Sequence, residues 1–245
     1  MNTENQPPKY LWIDKMSTTD AIKAMLKNQA ESFNAVEKAL PEINNVIEKI
    51  TQKLKKNVNS RLIYAGAGTS ARIGLQDAVE LYPTFGWPRN RINFIIAGGL
   101  ESLTKSIEGA EDDIVSPHII SKDIKLSEHD ILIALAASGN TPFTRECILN
   151  SNNKKALSVA ISNNSEGIIL KEADYSILLD TGYEIIAGST RLKAATAQKI
   201  CLNIISSMIM TKLGFVKNGL MTNFIPLNEK LKKRKKQILK YLSEN

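Results

Sequence analysis

Five short apolar runs constrain this chain more than anything else in its sequence. Leu62 to Ala65 is followed by Gly66, Ile92 to Ala97 by Gly98-Gly99, and Ile131 to Ala137 by Ser138-Gly139. Ala156 to Ile161 is followed by Ser162-Asn163-Asn164, and Tyr175 to Leu179 by Asp180-Thr181-Gly182. Such runs, closed by small or polar residues and separated by helix-length stretches, predict parallel strands joined by helical crossovers. Ser189 to Leu213 then shows helical periodicity. The expected fold is α/β: a three-layer α/β/α domain with a five-stranded parallel sheet over residues 58–225. Ligands of such sheets collect at the C-terminal strand ends, which here are rich in glycine and serine.

Residues 1–57 read as an irregular arm with Pro7-Pro8, then a pair of helices. Ser17, three before Asp20, suits a helix cap, and Pro41 suits the first turn of a second helix. Ile22, Leu26, Phe33, Val36, Leu40, Ile43, Ile47, Ile50 and Leu54 step by three, four or seven, which makes one helical stripe. That stripe fits a helical pair packed on its own domain, a dimer contact or a coiled coil.

Charge narrows the function classes. Lys and Arg number 32 against 25 acidic residues, a net charge of +7. Residues 226–245 carry seven basic residues and two acidic ones, so +5 of the +7 lies in this tail. The nearly balanced body argues against a nucleic-acid partner. No apolar run approaches the ~20 residues of a membrane helix, and no signal peptide opens the chain. Two cysteines, Cys147 and Cys201, and two histidines, His118 and His129, have no zinc-like spacing. A cytoplasmic protein with reduced thiols is expected, using carboxylates, lysines, tyrosines or a bound ion for any catalysis.

Three strand-end loops are candidate ligand sites. Gly66-Ala67-Gly68-Thr69-Ser70-Ala71 fits a dinucleotide fingerprint, but the next strand ends in Ala97-Gly98-Gly99 without the acid that a ribose needs. It equally fits a phosphate cradle of amides and hydroxyls, or a plain turn with a helix cap. Ser138-Gly139-Asn140-Thr141-Pro142 repeats that chemistry, and the pair suits a sugar phosphate. Neither loop holds the lysine of a nucleoside-triphosphate P-loop. In the third loop, Ser189 and Thr190 are placed to cap the long helix, and Arg191 and Lys193 lie in its first turns. Cations there oppose the helix dipole, so they serve an anionic ligand or a salt bridge, with Glu184 as the candidate partner.

The motifs Gly-Ala-Gly-Thr-Ser-Ala-Arg at 66–72, Ala-Gly-Gly followed by Glu-Gly-Ala-Glu-Asp-Asp at 108–113, Ala-Ala-Ser-Gly-Asn-Thr-Pro at 136–142 and Ala-Gly-Ser-Thr-Arg-Leu-Lys at 187–193 resemble those of the N-acetylmuramic acid 6-phosphate etherases. These are SIS-domain (sugar isomerase) proteins related to the glucokinase regulatory protein. The resemblance runs over roughly residues 10–222. It implies a homodimeric lyase, without metal or organic cofactor, that cleaves the D-lactyl ether of the phosphosugar. The family's two functional glutamates correspond to Glu80, as proton donor to lactate, and Glu111, as base. Gly68, Thr69, Ser70, Ser138, Gly139, Asn140, Thr141, Ser189 and Lys193 are the expected substrate and phosphate contacts.

The chain departs from the family at Val79, Leu81 and Tyr82, where Ser, Cys and Pro are usual, and at Ala71 and Ala195, where glycines are usual. The family also continues into a small helical domain, in whose place stands the basic tail 226–245, with Leu231, Ile238, Leu239 and Leu242 on a helical stripe. The alternative function is a sugar-phosphate-binding regulator without turnover, which the paired glutamates disfavour. A SIS transcription regulator would need a recognition helix that residues 17–56 do not offer. An aldose–ketose isomerase would share the loops without the etherase motifs.

Overall fold

The computed structural model describes residues 2–226, 232–233, 236–238 and 240–241. Helices α1 (Thr18–Lys38) and α2 (Leu40–Lys56) lead into β1 (Leu62–Gly66), α3 (Gly68–Val79) and α4 (Leu81–Phe85). Next come β2 (Ile92–Ile96), α5 (Ser116–Asp123), β3 (Ile131–Ala136), α6 (Pro142–Asn153) and β4 (Leu157–Ser162). Then follow α7 (Ile169–Glu172), β5 (Tyr175–Leu178), α8 (Lys193–Lys212) and a hairpin of β6 (Val216–Lys217) and β7 (Leu220–Met221).

All five apolar runs form strands, and they pair in parallel in the order β2-β1-β3-β4-β5. Leu62 lies beside Ile92 on one side and Ile131 on the other. The chain goes outward from β1 to β2 and then returns across β1 to β3. The loops after β1 and β3 therefore diverge, and a crevice opens between them at the C-terminal edge. Alternation along the strands splits the core into two layers. Leu62, Tyr64, Ile133 and Leu135 pack with α2 and α8, whereas Ile63, Ala65, Leu132 and Ala134 pack with Phe143, Cys147 and Ile148 of α6. With both faces covered, each strand is apolar along nearly its whole length.

The sequence explains the flanking helices. Ser17 caps α1, its hydroxyl accepting the Asp20 N–H at 3.2 Å, an arrangement worth about 1 kcal/mol. Pro41 opens α2 and Pro142 opens α6, as their fixed φ suits a first turn. Asp77 fastens α3 to α8. Buried, it accepts hydrogen bonds from Asn203 (2.7 Å), Ser206 (3.0 Å) and Tyr64 (3.3 Å). Burial pushes its carboxyl pKa up, and these hydrogen bonds oppose the shift.

The N-terminal stripe divides in two. Val36, Ile43, Ile47, Ile50 and Leu54 are buried in the core. Ile22, Leu26, Phe33 and Leu40 are 60%, 72%, 65% and 47% exposed. A helical pair packed on its own domain thus describes α2 and the end of α1, while Ile22, Leu26 and Phe33 leave an apolar face of α1 uncovered. In the tail, Ile238 is buried, and Leu231, Leu239 and Leu242 of the expected stripe lie outside the described residues.

Candidate active site

The first loop is more helical than its motif suggests. α3 begins at Gly68, so Thr69 and Ser70 belong to its first turn and Ala67 is the residue before it. Gly68 has φ +53, a value that side chains disfavour, although a Cβ there would meet nothing within 4 Å. The reason for glycine is conformational. The free amides of this turn point outward from the end of β1, an arrangement suited to an anion.

A cavity of about 340 Å³ opens at this turn. Ala67, Gly68 and Arg72 line it together with Ala97, just after β2, and residues 102 and 105–111. Glu111 lines it beside Glu108, on a 3-10 turn (Ala110–Asp112) entered through the left-handed Gly109. Neighbouring Asp113 turns away to accept the N–H groups of Val115 and Ser116 at the start of α5. Of the four acidic residues at 108–113, Glu108 and Glu111 thus line the cavity, Asp112 does not, and Asp113 binds the amides at the start of α5.

Glu80 is not in that cavity. It is an exposed residue between α3 and α4, and the 12 residues of α3 carry it away from Gly68. At 1.5 Å per residue this separation is about 18 Å. A second cavity beside it is lined by Val79, Tyr82, Arg89, Ile92 and Phe94, with the Arg89 guanidinium stacked 4.2 Å from the Tyr82 ring centroid. One chain therefore holds the two glutamates at opposite ends of a helix.

The second loop is tightly braced. Gly139 is buried at φ +71, where an added Cβ would lie 2.5 Å from the Gly167 Cα and 2.6 Å from the Ser162 Oγ. Asn164 donates to the Ser138 carbonyl at 3.0 Å, Asn140 accepts the Ile168 N–H at 3.0 Å, and the Ser138 hydroxyl accepts the Asn140 N–H at 3.2 Å. Thr141 precedes α6 without a capping hydrogen bond from its side chain. This loop and the α3 turn flank the crevice between β1 and β3. Thr69, Ser70, Ser138, Asn140 and Thr141 do not line the cavity of Glu111.

The third loop corrects two expectations. α8 starts at Lys193, after Ser189 and Thr190, and neither of them caps it. The cap is Glu184, whose buried carboxylate accepts the N–H groups of Lys193 at 3.0 Å and Ala194 at 2.8 Å. Nor is Glu184 the hydrogen-bonded partner of the Lys193 ammonium. That group, almost fully buried, donates to Glu31 of α1 at 3.3 Å and lies 5.3 Å from the Tyr183 ring centroid. Lys193 thus ties α8 to α1 and does not line the cavity of Glu111. Burial pushes the Glu184 pKa up, and the two amide hydrogen bonds oppose it. Glu184→Ala should orphan both amides and cost about 3 kcal/mol in thermal or urea unfolding. A loss below about 1 kcal/mol would show that α8 starts without this cap.

Arg72 and Lys105 also line the Glu111 cavity and are not among the expected contacts. Arg72 is within reach of helical spacing, since it lies four residues after Gly68 on the same face. Lys105 lies in an irregular segment where spacing carries no such signal. Cys147 and Cys201 sit in different core layers. No cluster of three His, Cys, Asp or Glu able to hold a metal occurs among the described residues.

Residues 42–152 match the family model of the glucokinase regulatory protein N-terminal SIS domain. A phosphoheptose isomerase from Francisella tularensis aligns with a TM-score of 0.59 over 80% of this chain and 100% of that one. At 14% identity, this likeness is one of fold. The N-acetylmuramic acid 6-phosphate etherase of Mycoplasma mycoides is 42% identical over 243 residues, covering 99% of this chain and 80% of that protein. That of Oceanobacillus iheyensis is 42% identical over 97% of this chain and 80% of its own length. With such identity along nearly its whole length, the chain belongs to the N-acetylmuramic acid 6-phosphate etherase family.

Proposed function

We propose that this chain is a carbon–oxygen lyase that cleaves the D-lactyl ether of N-acetylmuramic acid 6-phosphate, giving N-acetylglucosamine 6-phosphate and D-lactate. The observation that carries this reading is Glu111 lining one cavity with the amide-rich first turn of α3. Kinship along the chain supports it. In the open-chain sugar, the C2 hydrogen is α to the C1 aldehyde and therefore acidic, and the lactyl oxygen on C3 is β to it. Glu111 takes the C2 proton, the C3–O bond breaks, and Glu80 protonates the departing lactate oxygen. Water then adds across C2=C3, with its hydroxyl on C3 and a proton on C2. The phosphate is remote from the broken bond, so its binding to the α3 turn and the Ser138–Thr141 loop serves to position C2 and C3.

The same reading makes the active form a homodimer. Glu80 is exposed about 18 Å along α3 from its own cavity, so a second copy must bring a Glu80 to each Glu111. The uncovered Ile22, Leu26 and Phe33 offer the apolar face for that association. Among the described residues no helix is long and apolar enough to cross a membrane. A free phosphosugar substrate and two unpaired thiols suit the cytoplasm.

Incubating the purified protein with N-acetylmuramic acid 6-phosphate should release D-lactate and N-acetylglucosamine 6-phosphate in equal amounts, measured enzymatically. Tight binding with no lactate above background would overturn the lyase reading in favour of a non-catalytic regulator.

A further inference from the structure

A substrate of this kind is anionic at both ends: phosphate on C6, and the lactyl carboxylate on the ether at C3. The proposed phosphate contacts account for only one end. At the other, the lactyl group must approach Glu111, in a cavity that also holds Glu108. Two carboxylates there disfavour a third, and a cation that meets the lactyl carboxylate offsets that repulsion.

The cavity holds two cations, and they differ in readiness. The Lys105 ammonium lies 3.6 Å from Glu101, with both side chains largely exposed, so it is a solvated and already paired charge. Arg72 is half-buried on α3. Its Nη2 donates to the Ser102 carbonyl at 2.7 Å and to the Lys105 carbonyl at 3.4 Å. These contacts fix the plane of the guanidinium. No carboxylate pairs with it among the described residues, and its Nε and Nη1 hydrogens have no protein partner there. A fixed, uncompensated guanidinium with free donors matches a carboxylate in shape and charge, and little side-chain entropy is lost on binding.

We propose that Arg72 binds the lactyl carboxylate and so selects the ether-bearing phosphosugar over phosphosugars that lack a second anion. This assignment rests on the etherase reading and extends it to the leaving group. Arg72 also holds the 102–105 segment, so that the wall carrying Glu108 and Glu111 forms around the group it receives.

A comparison of two substrates tests this: N-acetylmuramic acid 6-phosphate, and the same compound with its lactyl carboxylate converted to the neutral carboxamide. Arg72→Met should lower kcat/KM for the carboxylate about 100-fold and change that for the carboxamide less than about 3-fold. Arg72→Lys, which keeps the charge but loses the planar fork, should lose about 10-fold on the carboxylate alone. An equal loss on both substrates, in either variant, would mean that Arg72 only supports the loop, and would overturn the assignment. If the unmodified protein releases no lactate, the etherase reading fails by itself. Calorimetry then decides the assignment: the wild type should prefer N-acetylmuramic acid 6-phosphate over N-acetylglucosamine 6-phosphate, and Arg72→Met should abolish that preference. An unchanged preference would overturn it.

Discussion

Glu80→Gln is expected to leave phosphosugar affinity within a few-fold of the wild type and to reduce D-lactate release by about 1,000-fold. The amide keeps the size of the side chain, and the residue is exposed at the junction of α3 and α4, so folding should be unaffected. Chain mixing makes the prediction stricter. Glu111→Gln should be equally inactive by itself. If each site takes Glu111 from one copy and Glu80 from the other, a mixed dimer of the two variants holds one intact site. Random pairing of equal amounts should then recover about a quarter of wild-type activity. No recovery, with subunit exchange verified by tagged chains, would place both glutamates in one subunit, against the length of α3.

The five strands are legible in the sequence because parallel strands are buried on both faces, and burial leaves an apolar run that periodicity cannot disguise. Ser17 and Pro41 are legible because each acts within the first turn of the helix it opens. What stays hidden depends on distances across the fold. The start of α8 is misplaced by sequence because Ser189-Thr190 is a good local cap, whereas the acceptor in the structure is Glu184, nine residues before Lys193. For Lys193, spacing shows a cation at a helix start, which serves an anionic ligand or a salt bridge. It does not show that α1 lies alongside with Glu31 waiting. Glu80 and Glu111 stand out through family resemblance. Their separation by α3 within one chain follows from helix length and direction together, which no local motif carries. Arg72 escapes notice for a related reason: its significance appears only once residues 102–111 fold back against α3.

The second large effect expected is on the braced loop. Gly139→Ala should destabilise the protein by about 3–5 kcal/mol, and Gly109→Ala by only about 1 kcal/mol. Both glycines have positive φ, +71 and +70, so the conformational penalty of a side chain is shared. They differ in surroundings. At Gly109 a Cβ would meet nothing within 4 Å, whereas at Gly139 it would strike the Gly167 backbone at 2.5 Å and the Ser162 hydroxyl at 2.6 Å. Neither neighbour can yield cheaply. Ser162 ends β4 in the sheet and donates to the Asn164 carbonyl, and the Gly139 carbonyl accepts the Ile169 N–H at the start of α7. Moving the loop therefore disturbs two elements, and at about 2–4 °C per kcal/mol the melting temperature should fall by about 10 °C. Any population that still folds should bind N-acetylglucosamine 6-phosphate more weakly, because Ser138 and Thr141 move with Gly139. If calorimetric unfolding gave the same small loss for both variants, the loop would be absorbing the extra carbon by shifting. Ser138 and Thr141 could then not act as a preorganised phosphate grip, and the binding energy assigned to them would have to come from the first turn of α3.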